Sequence, residues 1–444
     1  MDLNHRTEAL LRRLVRKDAG IAVRKLLART RPEDLAAAME HLTWAEQRRL
    51  LGHIEDRDYA ATLIANLRDE QARKLLSLQD ERYVYDIIDR MDPDDATDVV
   101  EGLPQDLRDH VVGRLEDDHD EVPDLLEWPS DTAGGIMSPS MLLMPETATC
   151  SRVIEEIQER GEELESIYYV YCVDESERLT GVTSLRSLLV HPPHTPLTAL
   201  MSREVINVEP QTDQEEVARF VARYDLLAIP VVGPDRRVLG IVTVDDVVDV
   251  IRDEAAEDMM LMAGVSDEPI GNAPHQALHR AGWLTATLLG GVLMAEIIGY
   301  YEHTLASVAV LAGFIPVVMG MGGNVGIQSA TVAVRGLATG RIQLGGALRF
   351  IWTEIQIGVI LGLFFATMLG LYGGGRFGLW IGLSVAVSIS IAVASAAAIG
   401  ATIPVVLSRS GADPAIATGP FVTTAVDIFS ILVYFNASKL LLGL

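Results

Sequence analysis

The chain is short of cysteine, and its second half is short of charge. Only Cys150 and Cys172 occur in 444 residues, and their spacing matches no metal motif. That excludes a disulfide framework and a thiolate metal centre. From residue 281 onward there are five acids (Glu296, Glu302, Glu354, Asp413, Asp427) and six bases. That half has no cysteine and one histidine, His303, so soft-metal chemistry is not expected there. The nearest approach to a His-Glu-x-x-His zinc motif is His275-Gln276-Ala277-Leu278-His279. It lacks the glutamate and precedes the apolar segments, which argues against an intramembrane protease and against an enzyme. No apolar stretch opens the chain, since residues 1–17 are charged, so the first half is expected to stay in the cytosol.

What is present is acid in one half and apolar length in the other. Residues 1–280 hold 57 acids against 30 bases, although the whole chain has a mean hydropathy of +0.23. Such a surface repels nucleic acid and attracts divalent cations. The length exceeds what a single core serves, so several domains are expected.

Residues 1–130 read as an acidic all-α domain of helical repeats. Its helices open on proline or aspartate, as in Arg31-Pro32-Glu33-Asp34, Asp56-Arg57-Asp58 and Met91-Asp92-Pro93-Asp94-Asp95. From about 131 the texture becomes α/β. Short β-rich runs at 167–173, 179–182, 229–232 and 238–242 alternate with helical stretches at 151–160 and 213–224. The unit occurs twice, across 131–194 and 195–253. Gly240-Ile241-Val242-Thr243-Val244-Asp245-Asp246 and Gly181-Val182-Thr183-Ser184 occupy corresponding places. The pattern resembles the CBS domain, which occurs in tandem pairs. In nucleotide-binding CBS proteins a hydroxyl–x–x–Asp element holds the ribose. Thr243 and Asp246 fit it as an ATP contact, and Ser184 and Ser187 fit it poorly. The other reading is that Thr243 and Asp246 only cap a helix. Residues 245–279 then read as a connecting helix and linker. Asp246, Asp249 and Asp253 share one face of it.

The last part, 280–444, reads as a five-helix membrane domain. Its apolar segments lie near 281–301, 307–334, 350–371, 378–407 and 418–442, each reaching the roughly 20 residues a bilayer requires. Arg335, Arg341 and Arg349 fall in the second loop and no Lys or Arg falls in the first, which places the N-terminus inside. The second segment contains Gly320, Gly322, Gly323, Asn324, Gly326 and Gln328, and the fifth contains the lone acid Asp427. An aspartate at mid-membrane costs about 2.5–3.5 kcal/mol and marks a functional position. Asn324 and Gln328 are one turn apart, on the side expected to serve a pore or its mouth. Gly320 and Gly322 are expected to serve helix packing. Glu296 is either a second site or a helix–helix contact, and Glu302 and Glu354 are expected to snorkel at the membrane edges.

This order resembles the MgtE family of magnesium channels along essentially the whole chain. The matching motifs are Asp131-Thr132-Ala133-Gly134-Gly135-Ile136-Met137, Pro316 with Gly322-Gly323-Asn324-x-Gly326-x-Gln328-Ser329, Asp413-Pro414-Ala415, and the run from Gly419-Pro420 to Asp427. Ser430 stands where a glycine is expected. The resemblance implies a homodimer in the plasma membrane, with a cytoplasmic N-terminal half and a Mg²⁺ path at the subunit interface. It maps the pore acid onto Asp427. It also implies regulatory Mg²⁺ bound by Asp92, Asp95, Asp246, Asp249, Asp253, Glu257 and Asp258, which closes the channel. A hydrated Mg²⁺ suits carboxylates and carbonyls, because the ion gives up its waters reluctantly. The rival reading is a secondary transporter coupled to Na⁺ or H⁺.

Overall fold

The structure, a computed structural model, describes residues 6–17, 19–117, 121–161, 164–265, 273–342, 345–417 and 419–444. The chain divides into two compact units, Met1–Ile251 and Arg252–Leu444. Part of the expected linker, residues 266–272, lies outside the described residues.

Among the described residues, the first unit begins with ten short helices, from α1 (Arg6–Arg16) to α10 (Val122–Leu125). Their starts follow the expected chemistry. Pro32 and Pro93 open their helices at the first turn, where a missing N–H costs nothing. Asp80 accepts the N–H of Tyr83 at 2.9 Å, and Thr43 and Glu46 form a capping box. Each helix is too short to persist alone in water. Their shared core, with Leu50, Leu63, Ile64, Leu75, Leu76 and Ile87 fully buried, holds them.

The α/β part follows as β1 (Leu143–Pro145), α11 (Cys150–Arg160), β2 (Tyr169–Val173), β3 (Leu179–Ser184) and α12 (Leu185–Val190). The second repeat gives α13 (Gln214–Tyr224), β4 (Ala228–Val232) and β5 (Val238–Thr243), and α14 (Val244–Met262) leads into the second unit. β1 pairs parallel with β2, and β2 and β4 pair antiparallel with β3 and β5. The first strand of the second repeat shrinks to one bridge, Val208 to Val231. Pro210 follows two residues later, and a proline cannot continue the ladder.

The two repeats exchange their leading segments. Ser138 pairs with Ile241 of the second repeat, N–H to carbonyl in both directions at 2.8 and 2.9 Å. Ser202 pairs with Val182 of the first, at 2.8 and 3.0 Å. Met137 lies over Gly240 and Met201 over Gly181, where a Cβ would stand 2.8 and 2.6 Å from the methionine side chain. The boundary near 194 read from the sequence therefore separates two units that are each completed by the other.

The second unit contains α15 (Ala273–Tyr300), the short α16 (Glu302–Ser307), α17 (Ile315–Ala338), α18 (Ala347–Phe377), α19 (Leu379–Ser410) and α20 (Pro420–Leu442). Among the described residues, five helical spans are long and apolar enough to cross a membrane, Arg280–Tyr300, Ala309–Ala338, Ala347–Phe377, Leu379–Ser410 and Pro420–Leu442. The α19 helix is central and packs against α17, α18 and α20. Small residues bring the backbones together, as membrane helices require without a hydrophobic driving force between them. A Cβ at Gly358 of α18 would stand 2.7 Å from Ala397, and one at Gly400 would strike the carbonyl of Gly326. Tyr434 closes α20 onto the turn before α17, its hydroxyl donating to the carbonyl of Leu311 at 2.7 Å.

Candidate ion path and acidic cluster

In the membrane unit, α17 and α20 pack side by side, and their contact decides where the polar groups point. Gly322 lies against Ser430 and Val426, and Gly326 against Val426 and Val422. Ser430 is fully buried and fills the place where a glycine was expected. Gly322 is thus a packing position, as read from the sequence. Within this chain Gly320 packs against no other helix, since a Cβ there would meet nothing within 4 Å among the described residues.

Gly320, Asn324, Ile327 and Gln328 lie on an exposed side of α17, with Gly323 half-buried at its edge. Asp427 flanks that side from α20, and a Cβ on Gly323 would stand 3.6 Å from its Oδ1. A half-buried carboxylate therefore lies against bare backbone, at the edge of the α17 face that carries two exposed carboxamides. Such groups can hydrogen-bond the waters of a hydrated cation and need no direct ligation.

Two readings of acids change. Glu354 does not snorkel. It is buried at 7% exposure, and its Oε2 accepts the hydroxyl of Ser329 at 2.7 Å. Glu296 lies on an exposed face of α15, so among the described residues of this chain it is not a buried helix–helix contact.

The first unit gathers acids from three elements. Asp92, Asp94 and Asp95 open helix α8 (Pro93–Glu101). Asp245, Asp246 and Asp249 lie in the first turns of α14. Glu165 comes from the loop before β2, where its backbone N–H donates to Ser140 at 2.9 Å. Burial, then Asp246, Glu165 and Asp95, push Asp94 up to about 8. Burial, then Asp92 and Asp246, push Asp95 to about 6 and Glu165 to about 7. Asp246 is also raised, by burial and by Asp245 and Asp249, against the opposing hydrogen bonds from Thr243. Two helix N-termini offset part of this repulsion, but they carry only partial positive charge. As placed, no three ligating side chains among the described residues are set to hold one metal ion.

Thr243 and Asp246 are joined to each other. The Thr243 N–H donates to Asp246 Oδ2 at 3.0 Å and its hydroxyl at 2.5 Å, which is helix-cap geometry. Thr243 is buried. In the second unit, burial and then Asp413, Glu254 and Glu257 push Asp258 up to about 6. Asp253 and Glu257 lie on α14 near it. Glu165 was not singled out in the sequence, because nothing in a string of loop acids tells which one turns toward α8.

Comparison with known proteins agrees with this architecture. Residues 315–437 match the divalent cation transporter family MgtE, 30–131 the MgtE intracellular N domain, and 197–253 the CBS domain. The chain is 38% identical to the magnesium transporter MgtE of Thermus thermophilus over 330 residues, 72% of each chain. The chain belongs to the MgtE family. The MgtE of Bacillus subtilis is 34% identical over 356 residues, 79% of this chain and 78% of that one. Among solved structures, the cytosolic domain of the Mg²⁺ channel MgtE in complex with ATP is similar, with a TM-score of 0.51 and 33% identity. The match covers 55% of this chain and 99% of that one. The soluble part of a magnesium transporter gives a TM-score of 0.50 at 29% identity, covering 56% and 98%. The MgtE architecture of N domain, CBS domain and apolar helices is thus that of a multi-pass membrane protein.

Proposed function

We propose that the chain transports Mg²⁺, as an uptake channel of the plasma membrane, and that it works as a homodimer. The observation that carries the reading is Asp427 beside the bare backbone of Gly323, on the side of α17 that exposes Gly320 and Gln328. In a dimer that side meets its copy, and two Asp427 carboxylates face one hydrated ion. Two charges favour a divalent over a monovalent cation. Asn324 and Gln328 line the mouth and bond to the ion's waters.

Cytosolic Mg²⁺ closes the channel in this reading. Asp92, Asp95, Asp246, Asp249 and Glu165 repel one another, and so do Asp253, Glu257 and Asp258 along α14. Bound ions relieve that repulsion in the closed state, which offers them more ligands, and so shift the equilibrium toward it. ATP binds the CBS pair near Thr243 and Asp246, a reading supported by the ATP complex of the related cytosolic domain.

The test is purified protein in planar bilayers. Current that reverses at the Mg²⁺ equilibrium potential, whatever the Na⁺ or pH gradient, is the expected result. Reversal that follows either gradient means a coupled transporter instead.

A further inference from the structure

Glu354 is an intramembrane acid that the ion path described above does not use. Such a group is expensive in a bilayer and marks a function by default. It sits on the face of α18 that continues as Gly358 and Gly362, one and two turns further on. Both glycines are pressed against α19, where a Cβ would stand 2.7 Å from Ala397 and 2.7 Å from the Ser390 carbonyl. Glu354 thus fills the gap among α17, α18 and α19 and cannot swing out to the membrane surface.

Its partner belongs to the hydroxyls of the unit that reach across to another helix, as Ser384 does to Ser438 and Ser390 to the Gly362 carbonyl. Thr339, Thr353, Thr367 and Ser388 donate to carbonyls four residues back in their own helices. Ser329 instead donates across to Glu354 at 2.7 Å, and both residues are buried. Ser329 follows Gln328 directly and lies on the buried side of α17. A bond that holds Ser329 toward α18 therefore fixes the rotation of α17 about its axis, and with it the direction of Gln328 and Asn324.

We infer that Glu354 is a positioning residue for permeation. Its carboxyl, through Ser329, sets the face that α17 presents to the ion. The inference rests on the pore reading of that face.

The experiment measures Mg²⁺ and Ca²⁺ uptake per folded protein in proteoliposomes for Glu354→Gln, Glu354→Leu, Ser329→Ala and the Ser329→Ala/Glu354→Leu pair. Folded protein is quantified by size-exclusion chromatography in detergent. Glutamine still accepts the Ser329 hydroxyl, so Glu354→Gln keeps wild-type rate and Mg²⁺/Ca²⁺ ratio. Glu354→Leu and Ser329→Ala each lower the Mg²⁺ rate by roughly three- to fifteenfold, the range an interhelical hydrogen bond supports, and lower the ratio too. The pair is no worse than the poorer single variant. A merely structural role lowers folded yield and leaves both readouts unchanged, which overturns the inference. Glu354→Gln as impaired as Glu354→Leu also overturns it, because the charge and not the bond then matters. If Glu354→Leu does not fold, the contrast between Ser329→Ala and Glu354→Gln decides alone. Asp427→Ala is run in parallel. Full uptake in that variant sinks the pore reading, whereas loss there with wild-type Ser329→Ala sinks only the positioning role.

Discussion

Thr243 gives both its backbone N–H and its hydroxyl to the same oxygen of Asp246. Asp246 therefore caps α14 while it faces the acids of α8. The two duties separate under substitution. Asparagine keeps an acceptor for the cap and removes the charge. In EDTA at pH 8, Asp246→Asn should raise the melting temperature of the cytosolic fragment. Asp246→Ala loses the cap as well, worth about 1 kcal/mol, and should melt below Asp246→Asn. Equal melting of the two variants would show that the cap contributes nothing.

The same cluster gives a pH dependence with a definite sign. Asp94 is raised from its ordinary 3.8 to about 8 by burial and by its acidic neighbours. A raised folded-state value means the native fragment holds a proton that the unfolded chain releases. That contribution is full below 3.8 and is lost as pH rises through 8. Without divalent ions, the fragment should become more stable as pH falls from 8 toward 6. Magnesium should raise the melting temperature more at pH 8 than at pH 6, since protons and Mg²⁺ then compete for the same carboxylates. A Mg²⁺ effect independent of pH would place the ions elsewhere.

Asp427→Ala should abolish or strongly reduce Mg²⁺ uptake without preventing insertion, because removing a membrane charge eases insertion by about 2.5–3.5 kcal/mol. Asn324→Ala should have the smaller effect, since an amide contributes a dipole where Asp427 contributes a charge. Uptake in magnesium-limited cells with matched membrane expression measures both.

Neutralising Asp249 and Asp253 together should leave the channel open at high internal Mg²⁺. The wild-type cytosolic fragment should resist protease better in millimolar Mg²⁺ than in EDTA, the range expected of exposed carboxylate sites. Equal digestion under both conditions, with normal inhibition in the double variant, would remove the feedback mechanism.

The sequence made some of this legible and hid the rest for physical reasons. Asp427, Asn324 and Gln328 stood out because a polar group in an apolar helix is costly and therefore rare. Helix starts at Pro32, Pro93 and Asp80 were readable because caps are local chemistry. The Ser329–Glu354 bond spans 25 positions, and local pattern does not report such pairs. A signal was nevertheless available, because Glu354, Gly358 and Gly362 recur every four residues and so share one face. Reading Glu354 by its nearness to a helix end missed that phase. Glu165 and the exchanged segments were hidden for a further reason. Which acid meets α8, and which strand meets which sheet, depends on topology and not on spacing.

That exchange sets how the cytosolic half can be divided. A fragment ending near residue 194 would keep Gly181 and Val182 and lose Met201 and Ser202, which cover them. A fragment starting there would keep Gly240 and Ile241 and lose Met137 and Ser138. Each half would carry an open strand edge, the usual start of aggregation. The two repeats are thus expected to unfold as one cooperative unit, in a single melting transition. A shift of one repeat should therefore pull directly on the other, so that a ligand held by either would be felt by both.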